Sequence, residues 1–424
     1  MEAYSAEKLT PSVTLHRWGD PRFKTMKLSV NLIVPLRQET AAIYGILPGI
    51  ITRATREYPT YQSLNRRLSE LYGASLGAGA RKIGGHQVLT FSVGGIANRY
   101  AFDGDDMLRE LSDLLFSALF DPLKDGEGLF PKEHFLQEQR QLLEMKDAEF
   151  SDKITYAHRR CDELLFAGQD AALDRYGSRE EIAALDPQGL PDAWERLLRE
   201  ARAEVFVLGD CHPDRDALAH RFAGVGREAA VGPVPFRAPE EVVRVVDEQP
   251  VTQSKLSLGF RVDADPADHL LYRLMSAVLG GVPSSKLFRN VREKMSLCYY
   301  CSSSFTPAGR ALFIESGVET GNLQRAEEEI LRQLKDLQDG DLKEEELTSA
   351  KLALCNSCRS VGDSLGAVQN WYLGRIFLGS AESPEEACGK LMSCTREQVV
   401  EAARKLELGV VYSLRGKEAA SHGA

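Results

Sequence analysis

Histidine is scarce in this chain of 424 residues: there are eight, His16, His86, His134, His158, His212, His220, His269 and His422, and no two stand three or four residues apart. A zinc site built on two imidazoles of one helix face needs that spacing, so none is expected here. Cysteine is equally sparse at eight, far below the density of a secreted disulfide framework, and reduced thiols are the default. No apolar run approaches the roughly 18 residues that would span a bilayer. Met1 to Thr10 carries Glu2, Glu7 and Lys8 and lacks the apolar core of a secretion signal, so a cytoplasmic protein without membrane insertion is expected. Positive charge is not in excess either: 52 Lys and Arg face 62 Asp and Glu, and a formal charge of −10 gives no attraction to nucleic acid. A G-x-S-x-G elbow is missing, and Gly79, Gly84 and Gly85 lack the lysine of a phosphate loop, which argues against a serine hydrolase and a nucleotide site.

What is present is an ordinary globular composition, 43% apolar and 27% charged, in a length that calls for two or three domains. Alternation and β-branching predict strands at 27–34, 86–93 and 203–209, with helical periodicity over 39–55, from Thr60, over 105–119 and over 132–166. A stretch rich in Gly, Pro and small residues follows, and then the same order returns. KLSLGFRV at 255–262 parallels KLSVNLIV at 27–34, with helices at 266–279, 284–294, 322–337 and 343–360 and strands at 297–305, 310–318 and 408–414. Matching elements are offset by about 205 to 228 residues, which points to a duplicated α+β domain rather than a short-period solenoid. The expected bounds are 1–225 for the first domain, 226–250 for a linker and 251–424 for the second.

The most specific segment is GGVPSSKLFRNVREKMSLCYY, residues 280–300. It resembles the C-terminal-domain signature of the insulinase, pitrilysin and mitochondrial processing peptidase family. There a glycine turn and Ser-Ser-Arg-Leu-Phe precede Arg-Glu-Lys and an Ala-Tyr pair. Here Ser284, Ser285, Leu287, Phe288, Arg292, Glu293, Lys294, Leu297 and Tyr299 keep the pattern, with Lys286 where Arg is usual and Cys298 for the small residue. With the duplication, the resemblance covers essentially the whole chain. It implies a clam-shell of two homologous domains, each a largely antiparallel sheet with helices packed on it.

The family's first domain carries an inverted zinc motif, H-x-x-E-H, and a later helix supplies a third, carboxylate ligand. Aligning Arg53, Ala54 and Thr55 with the Lys-Gly-Thr that follows that motif puts Gly45, Pro48 and Gly49 at its His, Glu and His positions. No metal ligand survives there, and Pro48 is expected to distort the helix that presents them. Glu144 is the candidate for the distal carboxylate position, read here as a solvated or salt-bridged helix residue. Two C-x-x-C pairs, Cys298/Cys301 and Cys355/Cys358, could in principle form a four-cysteine zinc site. Strand alternation, however, would turn Cys301 to the face opposite Cys298, and the second pair lies within a helix.

Arg292 and Tyr299 keep the family's Arg/Tyr pair, which implies substrate holding by a guanidinium and oxyanion stabilisation by a phenol. Gly280 and Gly281 would begin the substrate-facing loop, with Ser284 and Ser285 following. The resemblance therefore implies a catalytically silent subunit, with no cofactor of its own, in a heterodimer. Its partner would be a zinc-bearing peptidase of the same family, and the substrate a peptide. Bacterial proteins lacking the zinc motif and associated with modification of elongation factor P are the branch most similar to it. The alternative is a non-enzymatic scaffold that holds a peptide or a protein.

Overall fold

The computed structural model describes residues 4–102 and 104–417; His422 lies outside them. In the first half of the chain the strands are β1 (Ser5–Thr10), β2 (Val13–Trp18), β3 (Thr25–Pro35), β4 (Ser75–Ile83), β5 (His86–Ile96) and β6 (Arg202–Gly209). The helices there are α1 (Gln38–Ile51), α2 (Tyr61–Glu70), α3 (Met107–Phe120), α4 (Lys132–Ala148), α5 (Lys153–Leu165), α6 (Arg179–Ala183), α7 (Leu190–Glu200) and α8 (Arg215–Arg221). The second half has strands β7 (Val243–Gln249), β8 (Ser254–Val262), β9 (Cys298–Thr306), β10 (Ala311–Val318) and β11 (Leu406–Gly416). Its helices are α9 (His269–Ser276), α10 (Leu323–Gln338), α11 (Glu344–Arg359), α12 (Leu365–Ile376), α13 (Pro384–Ser393) and α14 (Arg396–Arg404). Between α9 and β9 run two π-helical segments, Ala277–Gly281 and Leu287–Lys294.

The two sheets have the same topology. The first is ordered β1-β2-β6-β3-β5-β4 and the second β7-β11-β8-β10-β9, so that β2, β6, β3, β5 and β4 correspond one by one to β7, β11, β8, β10 and β9. In each, the first and last of the corresponding strands pair in parallel, β2 with β6 and β7 with β11. Every other pairing among them is antiparallel. A shared order that includes the one parallel pair is hard to reach twice by chance, and it establishes two α+β domains of one design. β7 lies within residues 226–250, so that stretch adds a strand to the second sheet.

Neither unit is continuous in sequence. One comprises residues up to Asp147, Leu173–Val231 and Asp363–Leu373; the other comprises Ala148–Ala172, Gly232–Gly362 and residues from Gly374 onward. The helical periodicity over 132–166 breaks at Asp152, whose carboxylate caps α5 by accepting from the Ile154 and Thr155 amides. α4 then stays with the first sheet while α5 packs on the second, where Cys161 and Leu165 lie against Gly259 of β8. The equivalent helix of the second half, α12, does the converse. Its Gln369 donates to Asn31 of β3 at 3.2 Å, and its Asn370 accepts from Arg81 of β4 at 2.8 Å. Thus β3, apolar on one face through Leu28, Val30 and Leu32, buries a polar Ser29 and Asn31 on the other face, where Gln369 of α12 hydrogen-bonds Asn31.

Within the second unit, α9 opens on a buried histidine whose tautomer is fixed by its neighbours. His269 Nδ1 donates to the Pro266 carbonyl at 2.9 Å, and Nε2 accepts from Arg375 at 2.6 Å. Burial, reinforced by the Arg375 charge, pushes the imidazole down to about 4, against the opposing pull of the Pro266 carbonyl and Glu382. The neutral form is the native one. A pKa lowered from 6.5 contributes stability that is complete above 6.5 and is lost as pH falls toward 4. Thermal melts between pH 7 and 4 are expected to show this loss, and His269→Gln is expected to flatten that part of the profile.

Candidate functional site

α1 carries the positions aligned with the zinc motif. It runs unbroken through Pro48, contrary to the expected distortion. Pro48 stands in the last turn, so its missing N–H removes a single bond from the ladder. Its own carbonyl is well used, accepting from the Thr52 amide at 3.3 Å and the Thr52 hydroxyl at 2.8 Å. Gly45 and Gly49, one turn apart, share a face, and that face is closed. A Cβ on Gly45 would stand 2.8 Å from Tyr176 Cδ1 and 3.1 Å from the Arg175 carbonyl oxygen. At Gly49 a Cβ would meet Glu138 of α4 at 2.1 Å from Oε2 and 2.5 Å from Cδ.

Glu138 was not singled out from the sequence. Its Oε1 accepts from Arg53 Nε at 2.8 Å and Nη2 at 2.5 Å, in an ion pair whose side chains are 14% and 15% exposed. His134, one turn earlier on α4, is held below its ordinary pKa by burial and then by the Arg53 charge, against Glu133 and Glu138. Glu144 lies elsewhere: it is 70% exposed and its nearest cation is Arg140 at 3.7 Å. Six residues turn a helix by roughly 240° beyond a full circle, so Glu138 and Glu144 cannot both face α1. Zinc does not fit this site, because Gly45, Pro48 and Gly49 offer no ligand atom and Arg53 already neutralises the one carboxylate at hand. Among the described residues no three His, Cys, Asp or Glu side chains are grouped to hold a metal ion. Breaking the Arg53–Glu138 pair by Arg53→Met is expected to cost roughly 2–3 kcal/mol, since a largely buried carboxylate loses its partner. Calorimetric melts of Arg53→Met and of Arg53→Met/Glu138→Leu check this, the double variant recovering most of the loss.

The segment 280–301 is built as an anchored base with two side chains left outside. Gly280 is buried: a Cβ there would lie 2.6 Å from the Ser303 amide nitrogen and 2.8 Å from Leu287 Cδ1, so glycine lets the π-turn press on β9. Gly281 is exposed, Ser284 half-buried and Ser285 buried. Lys286, 2% exposed, bonds to Asp341 at 3.0 Å and lies 3.6 Å from Glu346. Asn290 donates to Gln333 of α10 at 2.5 Å. These contacts fix the helical segment on α10 and the loop leading into α11. The helix then closes through Ser296 in the left-handed region (φ 50°), with the Met295 amide on the Asn290 carbonyl and the Leu297 amide on Val291. A non-glycine residue in that conformation is locally strained, and it turns the chain abruptly into β9.

β9 begins with a bulge. Cys301 stands opposite Ser316 and Tyr300 opposite Gly317, but Cys298 stands opposite Val318, which leaves Tyr299 as the extra residue. Tyr299 is consequently turned out, 60% exposed, with its hydroxyl 3.3 Å from Glu319 Oε1. Arg292 is also exposed, its guanidinium stacked 4.4 Å above the Phe288 ring. Glu315 of β10 is bonded to His158.

The bulge also corrects the reading of Cys298 and Cys301. An inserted residue reverses the alternation, so both thiols come to one face of β9. The neighbouring Cys301 thiol, with further help from Ser316 and Arg292, brings Cys298 down to about 7 against the effect of burial. Cys301 is driven in the opposite sense by the neighbouring Cys298 thiol and by burial. Cys355 and Cys358 are both buried on α11, and Cys355 donates to the Cys388 carbonyl of α13 at 3.6 Å rather than meeting the first pair.

Fold and site together define a protein of two α+β domains of one design, in which the Gly45/Gly49 face of α1 is filled by other side chains and backbone. Residues 184–354 match the family model described as "Peptidase M16 inactive domain". It is 27% identical over 415 residues, 96% of this chain and 97% of the other, to "Probable inactive metalloprotease YmfF" of Bacillus subtilis. It is also 23% identical over 403 residues, 92% of each chain, to "Uncharacterized zinc protease YmxG" of the same organism. A conserved protein from Enterococcus faecalis V583 superposes with a TM-score of 0.88 at 27% identity, covering 98% of this chain and 99% of that one. A peptidase M16 inactive domain from Pseudomonas fluorescens shares the fold, with a TM-score of 0.80 at 18% identity over 98% and 99% of the two chains. No helix among the described residues is long and apolar enough to cross a membrane.

Proposed function

We propose that this chain is the catalytically silent half of a heteromeric zinc peptidase. A homologous subunit bearing H-x-x-E-H would supply the metal, while Arg292 would hold the substrate backbone and Tyr299 the developing oxyanion. The observation that carries the reading is an asymmetry. Gly45 and Gly49 are sealed by Tyr176 and Glu138, whereas Arg292 and Tyr299 are held on a strained, anchored segment with both functional ends exposed. A chain with no peptide chemistry left would not need that presentation. The bacterial branch associated with elongation factor P modification is where the zinc-bearing partner is sought. Size-exclusion chromatography with light scattering tests the assembly. The chain mixed with a zinc-motif homologue is expected to elute as a one-to-one complex carrying zinc, and failure to associate at tens of micromolar would sink the proposal. A complex that forms, binds an extended peptide and never cleaves it would favour a scaffold instead.

A further inference from the structure

We infer that Cys298 and Cys301 are a redox-active dithiol, a modification site in which Cys298 is the attacking thiol and Cys301 resolves it to an intrachain disulfide. The inference goes beyond the composite-site reading and does not depend on it. Its basis is the register of β9. In a regular strand, residues three apart point to opposite faces and their sulfurs cannot meet. Here the extra residue, Tyr299, restores Cys298 and Cys301 to one face, opposite Val318 and Ser316 of β10, with the spacing of next-nearest neighbours. Disulfide formation requires that closeness.

The pair is also asymmetric in the way a two-thiol exchange needs. Cys298 is half-buried at the start of the strand, open to a small oxidant, while Cys301 is 3% exposed behind it. Arg292 and the Cys301 thiol favour the Cys298 thiolate, which is the nucleophile in exchange. Burial acts the other way at Cys161, Cys355, Cys358 and Cys394, raising all four. With a small-molecule disulfide as co-reactant, the Cys298 thiolate attacks one sulfur, and the first thiol of the oxidant leaves. Cys301 then gives up its proton and attacks the Cys298 sulfur of the mixed disulfide, and the second thiol leaves. Two protein thiols are oxidised to one disulfide, and one oxidant disulfide is reduced to two thiols. The ring so formed closes over the bulge that turns Tyr299 outward.

The test uses the full wild-type chain equilibrated in graded mixtures of reduced and oxidised glutathione, quenched in acid, alkylated and mapped by mass spectrometry. The expected result is loss of two hydrogens confined to the peptide holding Cys298 and Cys301. Before oxidation, alkylation at Cys298 is expected to run on the order of 10-fold faster than at Cys394, in line with its larger thiolate fraction. Cys301→Ser is expected to stop at a glutathione adduct on Cys298. A wild-type protein that only accumulates that adduct, or whose Cys298 reacts no faster than Cys394, would overturn the inference.

Discussion

In a complex with its zinc-bearing partner, Tyr299→Phe is expected to lower kcat for an extended peptide by on the order of 10²-fold, with KM little changed. Removing a single oxyanion donor has that scale of effect, because the donor acts on charge present only in the transition state. Arg292→Ala is expected to lower kcat/KM by a similar factor, and through KM as well, since a guanidinium that holds the substrate backbone contributes to binding. Arg292→Lys should recover little, for an ammonium lacks the planar fork that bonds two acceptors at once. These side chains are exposed, and their loss should change the stability of the isolated chain by no more than about 0.5 kcal/mol. Steady-state kinetics of the mixture, paired with melts of the variants alone, therefore separates a lost function from a lost fold. Unchanged kinetics would remove Arg292 and Tyr299 from the chemistry.

The second large effect is on stability. Rebuilding the motif as Gly45→His/Pro48→Glu/Gly49→His is expected to yield a protein that melts on the order of 10 °C lower, and that takes up no stoichiometric zinc. Overpacking a buried site typically costs about 1–3 kcal/mol. Two such sites are created here: at Gly45 the obstruction includes the backbone of Arg175 and Tyr176, and at Gly49 it is the Glu138 carboxylate itself. An imidazole at position 49 must displace Glu138 from Arg53, which adds a broken ion pair. For a unit of roughly 200 residues, each kcal/mol moves the melting point by about 2–4 °C. Calorimetry and metal analysis of the purified variant decide the matter. An undiminished melting point with one zinc per chain would mean that the site lacks only its ligands.

Much of this was legible in the residues. Buried strands such as β3 and β8 announce themselves by alternation and apolar, partly β-branched residues, and their recurrence at similar offsets reveals the duplication. The assignment of Gly45, Pro48 and Gly49 to the zinc-motif positions rests on the register of Arg53 to Thr55 alone. β4 was hidden because Gly77 and Gly79, poor strand formers, interrupt any strand pattern over its residues. The boundary between α4 and α5 was hidden because both sides keep helical periodicity, and the Asp152 cap at their junction is a single residue. Helix exchange leaves no trace in helical periodicity, which is the same whichever sheet the helix packs on. The choice of Glu138 over Glu144 rests on the rotation of α4 against α1, which is a property of packing. The meeting of Cys298 and Cys301 rests on a bulge, which is a property of two strands in register and not of one.

The central claim is that this chain is inert alone and necessary to its partner. The most direct measurement is the rate of cleavage of an extended peptide while the chain is titrated into a fixed amount of the zinc-bearing subunit, with and without a chelator. The account predicts no cleavage by the chain alone and a rate that rises with added chain, saturates at one per zinc subunit and vanishes on chelation. A rate indifferent to the chain, or chelator-sensitive cleavage by the chain on its own, would contradict it.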